Sequence, residues 1–361
     1  MDLILKPTLK CNFKCTFCSS TTIADDANVV MDLDLVRRFA IRYPDTKTII
    51  INGGDPLMMP PKYYWDLIDI LDELDSKASI SFTTNLWPFY KAPHKWAKLF
   101  NHWRVGVGTS FQFGNSRLKG DYTPYTVDDF WAVSNAMLEH VGERPTFIAV
   151  IDHDIVHTVL DTVRLARDMG VVCKVNHLMG SGGIVDTGKI LMGSHNRMFT
   201  KGDICKTYVD IWRAGLMEWE HNTQEMAKVI RGGHTICPLS RNCDSGIRTI
   251  QPEGDYYSCG AFGDDREYPI DFEHEMAGGF VTPLQVPELA SMKNGCYDCP
   301  MFSVCNGCKK TIADTKRLGL VEHHCRIMKS IAHDIIEMNG LTGVLVPTPY
   351  VDESVVLIAR G

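Results

Sequence analysis

No run of about 18 apolar residues occurs anywhere in the 361-residue chain, which excludes a membrane-spanning helix of ordinary length. The N-terminus lacks the basic, long apolar and small-residue segments of a signal peptide, so a cytoplasmic location is expected. An excess of positive charge is also missing. Lys and Arg number 37 against 44 Asp and Glu, a net charge of −7, so neither a nucleic acid nor a membrane is expected as a partner. Internal repeats and low-complexity tracts are absent as well, which argues against a repeat array. What remains is an ordinary globular composition, 45% hydrophobic and 22% charged. The length suffices for two domains, since single cores stop growing at about 250–300 residues.

Cysteine is the residue present in force, at 13 positions. In a cytosolic protein that count points to metal or redox chemistry rather than disulfides. Cys11, Cys15 and Cys18 are spaced CxxxCxxC within KCNFKCTFC, with Phe17 before the last. Three thiolates on one loop hold three irons of a cubane cluster and leave the fourth iron open. An open iron can bind a small molecule, whereas a four-cysteine cluster only passes electrons. A zinc site or scattered core thiols are the alternatives for this spacing taken alone.

The first half alternates strands with helices. Strands are predicted over Leu3–Leu5, Thr48–Ile51, Ile80–Thr83, Val105–Thr109, Phe147–Ile151 and Val171–Asn176. Helices are predicted over Leu33–Ile41 with Asp32 as N-cap, Tyr63–Leu74, Pro93–Phe100, Val127–Val141 and Ile155–Met169. Thr126 and Asp129 form a capping box before Val127. Six such units imply a parallel sheet with right-handed crossovers. Beyond residue 180 the pattern changes. GSGG at 180–183 reads as a loop, Asp203–Ile230 as a long helix or a helix pair, and the chain from Cys237 as turn-rich with little helical periodicity.

Ten cysteines lie beyond residue 170, and eight of them form an ordered array. Cys237, Cys243 and Cys259 come first, with Gly254 five positions before Cys259. Cys296, Cys299, Cys305 and Cys308 follow as Cx2Cx5Cx2C, and Cys325 is last. Eight thiolates fit two fully ligated cubanes, although the Cx2Cx5Cx2C segment by itself would suit structural zinc. Cys173 and Cys205 fall outside both groups and read as buried small hydrophobes. His323 and His324, beside Cys325, have the chemistry of ligands or outer-shell donors but read first as residues of a solvated loop. NGGDP at 52–56 follows the second strand; its glycines allow close backbone approach, Pro56 rigidifies the turn, and Asp55 can accept from an amine.

With strand one, CxxxCxxC and this GGDP turn, the chain resembles the radical S-adenosylmethionine (radical SAM) enzymes, whose GGEP motif holds SAM's methionyl ammonium. The eight-cysteine array resembles the SPASM extension of that family and is similar to that of the anaerobic sulfatase-maturating enzymes, apart from Cx2C where Cx3C is usual at Cys305–Cys308. The resemblance implies an α/β fold: a partial (β/α)6 TIM-like barrel followed by a small cysteine-rich iron–sulfur domain, with functional loops at the carboxyl ends of the strands. It implies a radical SAM barrel at 1–190, a helical bridge at 191–234, a SPASM domain at 235–330 and a C-terminal tail at 331–361. Its cofactors would be SAM and three [4Fe–4S] clusters. Cys11, Cys15 and Cys18 would hold the SAM-binding cluster. Cys237, Cys243, Cys259 and Cys308 would hold the first auxiliary cluster, and Cys296, Cys299, Cys305 and Cys325 the second. Gly53, Gly54, Asp55 and Pro56 would line the SAM pocket, together with Asn85 of the TTN segment, Ser110 of TSFQF and Asn176 of KVNHL. Gln112 stands in TSFQF where relatives carry Asp.

The reaction implied is cleavage of SAM to a 5′-deoxyadenosyl radical, abstraction of a substrate hydrogen, and oxidation or crosslinking of a peptide or protein. An oxidoreductase or maturase of ribosomally made peptides is the leading expectation. Formylglycine formation is disfavoured, because in those relatives an Asp base directly follows the third cysteine and here Gly260 follows Cys259. Asp264 and Asp265 are the nearest substitutes, with Asp255, Tyr256 and Tyr257 as further proton or radical candidates. The same chemistry on a small metabolite or an amino-acid-bearing nucleotide is the alternative, and a non-catalytic metal-binding module a second. A flavodoxin- or ferredoxin-type donor would supply electrons. The sequence opens on strand one, so either a separate protein brings a leader peptide or the substrate needs none.

Overall fold

β1 (Asp2–Leu5), β2 (Thr48–Ile51), β3 (Ser79–Thr83), β4 (Val105–Ser110), β5 (Thr146–Ile151) and β6 (Cys173–His177) lie side by side in chain order, all parallel. The computed structural model describes residues 1–19, 28–179, 198–231, 246–274, 296, 298, 299, 301–305, 308–340, 345–347 and 355–357. Leu5 sits opposite Ile51, Ile51 opposite Phe82 and Phe82 opposite Val107, so apolar side chains form rows across the strands. Alternate residues face one side of a strand. Leu3, Leu5, Ile49, Ile51, Ile80, Phe82, Phe147, Ala149 and Ile151 are accordingly buried. Each of the larger ones contributes about 1.5–3 kcal/mol, which is why strands of four to six residues hold.

The crossovers are α1 (Leu33–Arg42), α2 (Pro61–Glu73), the short α3 (Trp87–Lys91) and α4 (Ala97–Phe100), α5 (Val127–Val141) and α6 (Val159–Met169). Asp32 caps α1 by accepting from the Asp34 N–H at 3.0 Å, and the Thr126–Asp129 capping box opens α5. The single helix expected at Pro93–Phe100 is instead a broken run: α3, a 3-10 turn over Pro93–Lys95, then α4. Pro93 has no N–H to continue a helix, which accounts for the break.

A seventh strand was not foreseen. β7 (Ile247–Ile250) pairs in parallel with the free edge of β1, and β8 (Tyr256–Tyr257) turns back antiparallel on β7. The turn uses Gly254 at φ +100°. IRTI hides as a strand because Arg248 interrupts its apolar run, yet Arg248 is itself buried and donates to the Ile247 carbonyl.

Asp203–Ile230 resolves into a pair, α7 (Lys201–Arg213) and α8 (His221–Ile230). Five helices among the described residues correct the expectation of little helical periodicity beyond Cys237. After α9 (Gly260–Asp265) come α10 (Phe302–Cys305), α11 (Lys309–Arg317), α12 (Val321–Ser330) and α13 (Ala332–Met338). Apolar periodicity missed α11 because its buried face is mostly polar: Lys310, Thr311, Asp314 and Thr315 are buried, and Lys310 and Arg317 both pair with Asp314. β9 (Leu345–Pro347) and β10 (Val355–Leu357) form a second, antiparallel two-stranded sheet. GSGG at 180–183, Cys237 and Cys243 lie outside the described residues. Among those described, no helix is long and apolar enough to cross a membrane.

Candidate active site

The loop carrying Cys11, Cys15 and Cys18 leaves the carboxyl end of β1 and is clamped from two sides. On one side the chain at 116–118 pairs with it like a strand: Lys14 N–H donates to the Leu118 carbonyl at 2.8 Å and Thr16 N–H to the Ser116 carbonyl at 2.9 Å. On the other, the turn after β2 packs onto 8–10, with Gly54 N–H donating to Thr8 O (2.9 Å) and Asp55 N–H to Lys10 O (2.7 Å). Both glycines are forced by that contact. A Cβ on Gly53 would lie 2.6 Å from the Thr8 carbonyl oxygen; one on Gly54 would overlap the Lys10 carbonyl oxygen and lie 2.5 Å from the Leu9 carbonyl. The close approach expected from GGDP is therefore made, at these atoms, to the backbone leading into the cysteine loop.

Asp55 is 1% exposed. It caps the 3-10 turn Pro56–Met58 by accepting from Leu57 N–H at 2.9 Å, and it also accepts from the Thr84 hydroxyl at 2.9 Å and from Asn85 N–H at 2.8 Å. Burial raises its carboxyl pKa, and these donors oppose the rise. Asp55 thus bolts the end of β2 to the end of β3. Asn85, so held, donates to the Asn12 side chain at 2.7 Å and faces the Cys11 sulfur at 4.0 Å. Pro56 is buried, its carbonyl accepting from Tyr64 at 2.6 Å.

Arg117 is the candidate site residue that sequence reasoning missed. It is buried, and its guanidinium donates twice to Gln112 Oε1 (3.1 and 2.8 Å) and once to Ser110 Oγ (2.8 Å), while lying 5.2 Å from the Phe17 ring centre. Ser110 and Gln112 therefore meet at Arg117. The signal available was the basic residue inside FQFGNSRLK, five positions after the unusual Gln112. Burial pushes the Cys11 thiol up to about 12, with Asp55 the next contributor. Burial also raises Cys15, which Arg117 opposes. Binding metal as thiolates would release these protons. Asn176, near the end of β6, the edge strand of the sheet, accepts from Asn222 Nδ2 at 3.0 Å.

Of the candidate acids, Asp264 comes to the loop. It pairs with the buried Lys6 at the end of β1 and accepts from the Ser19 hydroxyl at 2.8 Å, next to Cys18. Asp255 is exposed at the β7–β8 turn. Tyr257 is buried with Phe262 and Cys259, and burial, then Asp255, pushes it up to about 12.

In the C-terminal region Cys296, Cys299, Cys305 and Cys325 line one cavity, together with Met301, Phe302, Ile312, His324 and Met328. Among the described residues, no three Cys, His, Asp or Glu side chains converge as a single-ion site requires. Cys259 and Cys308 each precede a helix, α9 and α11, and Lys310 of α11 pairs with Asp265 of α9 at 2.6 Å. Cys173 and Cys205 are buried in the core, as expected. The reading of His323 and His324 as solvated is corrected. Both lie on α12: His323 pairs with Asp203 at 2.7 Å, and His324 is 0% exposed, pushed down to about 4 by burial.

A parallel α/β barrel with a three-cysteine loop at the mouth of its first strand defines the class. Residues 5–183 match the radical SAM superfamily, and through this barrel the chain belongs to that superfamily; membership implies SAM and a [4Fe–4S] cluster. Solved structures of similar fold include native anSMEcpe with bound AdoMet and the Kp18Cys peptide (14% identity, 94% of this chain and 99% of that one, TM-score 0.68). Native anSMEcpe with bound AdoMet superposes at TM-score 0.64, with the same identity and coverage. Streptococcus suis SuiB bound to precursor peptide SuiA has 14% identity over 85% of this chain and 71% of that one, at TM-score 0.54. At such identities the likeness is one of fold. No curated relative matches the chain by sequence.

Proposed function

We propose that this chain cleaves SAM reductively and oxidises or crosslinks a side chain of a peptide or protein, using three [4Fe–4S] clusters. The observation that carries this reading is the pair of thiol groups: three on a clamped loop at the barrel mouth, and four around one cavity in the C-terminal region. Their chemistry fits iron–sulfur ligation, and thiols lining one cavity suit a multi-atom cluster better than one ion. Cys259 and Cys308, which open two helices linked by the Asp265–Lys310 pair, would join Cys237 and Cys243 at the remaining cluster. When bound, the loop cluster and SAM supply a 5′-deoxyadenosyl radical able to take hydrogen from unactivated carbon.

This chain's residues bind, orient and accept protons. Among the described residues, Arg117 hydrogen-bonds only neutral groups. A buried guanidinium left so is costly, and it would take the carboxylate of SAM's methionine. Asn85 would orient the methionyl end beside Cys11. Asp264, held by Lys6 and Ser19, would accept the proton that a substrate side chain loses on oxidation. The peptide class draws support from the neighbours seen with Kp18Cys and SuiA. A flavodoxin or ferredoxin would donate electrons.

Anaerobic reconstitution with iron and sulfide counts, followed by a 5′-deoxyadenosine assay with dithionite, tests the reading. About twelve irons per chain with product is the expected result. About four irons plus zinc would refute the auxiliary clusters. Arg117→Met should raise the KM for SAM by about ten- to a hundredfold, the worth of about 1.5–3 kcal/mol for a charged hydrogen bond, with iron content unchanged. An unaltered KM would remove Arg117 from the SAM site.

A further inference from the structure

His324 sits in the wall of the four-cysteine cavity with both ring nitrogens engaged. Its Nδ1 accepts the Gly202 backbone N–H at 3.1 Å, and its Nε2 lies 3.0 Å from the Cys305 sulfur. The first contact decides the second. A nitrogen that accepts a hydrogen bond carries no proton, so in the neutral ring the proton is on Nε2 and points at Cys305. Gly202 lies in the first turn of α7, where backbone N–H groups have no acceptor within the helix. That leaves its N–H free for the imidazole. A side chain at 202 would put its Cβ 2.9 Å from the His324 carbonyl oxygen and 3.3 Å from Nδ1, so glycine is what lets the ring approach. The neighbouring His323–Asp203 pair, with Asp203 also in the α7 capping box, fixes α12 at the same helix end.

We propose that His324 is a positioning residue that tunes the reduction potential of the cluster held by Cys305, donating a hydrogen bond from Nε2 to its sulfur. The inference rests on the reading above that Cys296, Cys299, Cys305 and Cys325 ligate a cluster. On reduction one electron enters that cluster and part of the added charge falls on its sulfurs. A fixed N–H donor stabilises that charge and raises the potential. The proton stays on nitrogen throughout.

The test is a dye-mediated redox titration of the reconstituted full chain, followed by EPR, on wild type, His324→Leu and His324→Gln. His324→Leu should lower one auxiliary potential, with the equilibrium constant for reduction falling about tenfold, or about 59 mV for one electron. Iron should stay at about twelve per chain. His324→Gln, which keeps an N–H donor, should recover part of the shift. An unmoved potential at full iron would overturn the proposal and leave the three-cluster reading standing. A wild type with about four irons would overturn both. Should His324→Leu fail to hold iron, pulsed EPR of the reduced wild type decides. A deuterium coupling from an exchangeable proton at the sulfur supports the hydrogen bond, whereas a nitrogen coupling of ligand size overturns it by making His324 a ligand.

Discussion

Gly54→Ala should cost the chain about four of twelve irons and with them all cleavage of SAM, while the rest of the fold survives. The added Cβ would run into backbone, the Lys10 carbonyl oxygen and the Leu9 carbonyl, not into the end of a side chain that could swing away. Overpacking of this kind costs about 1–3 kcal/mol. Here the displacement falls on the three residues that enter the cysteine loop. Gly54 N–H and Asp55 N–H hold those residues from the same turn, so pushing the turn back also loosens two hydrogen bonds. Gly106→Ala is the control: a Cβ there meets nothing within 4 Å and the backbone is not left-handed, so iron and turnover should be unchanged. Full iron and full 5′-deoxyadenosine yield in Gly54→Ala would show that the loop keeps its shape without this contact.

That a GGDP turn matters was legible from its place after the second strand; that its glycines answer to 8–10 was not, because a sequence does not show which backbone lies against which. The six barrel strands and the caps at Asp32 and Thr126 were legible because each depends on residues within a few positions. β7 was hidden by a buried arginine, and α11 by a buried face whose polar groups satisfy one another through Lys310, Asp314 and Arg317. Arg117 escaped notice, and His324 was read as solvated, because their partners could not be read from the sequence. The partners of Arg117 are Ser110 at the end of β4 and Gln112 in the loop that follows, and those of His324 are Gly202 and Cys305 in distant elements. The division of the C-terminal thiols, by contrast, is implied by the family resemblance and not by spacing; in the structure Cys296, Cys299, Cys305 and Cys325 line one cavity.

Replacing Cys15 and Cys18 together by alanine should abolish 5′-deoxyadenosine formation and leave about eight irons per chain. The two thiol groups are built by different parts of the fold, which is why the loss should be confined. The loop hangs on the carboxyl end of β1 between 116–118 and the β2 turn. The cavity of Cys296, Cys299, Cys305 and Cys325 is walled by residues of α10, α11 and α12, and α12 docks on α7. Removing two sulfurs from a loop with a part-exposed Cys18 leaves the core strands untouched, so the protein should remain folded. The complementary pair, Cys299→Ala with Cys305→Ala, should also leave about eight irons. It should keep SAM cleavage without substrate, because the loop, Asn85 and Arg117 are intact, and lose only the oxidised or crosslinked product. Were both double variants to lose SAM cleavage alike at about eight irons, the C-terminal thiols would be feeding electrons to the barrel site. Retained cleavage in the Cys15–Cys18 variant would instead remove the loop from the chemistry altogether.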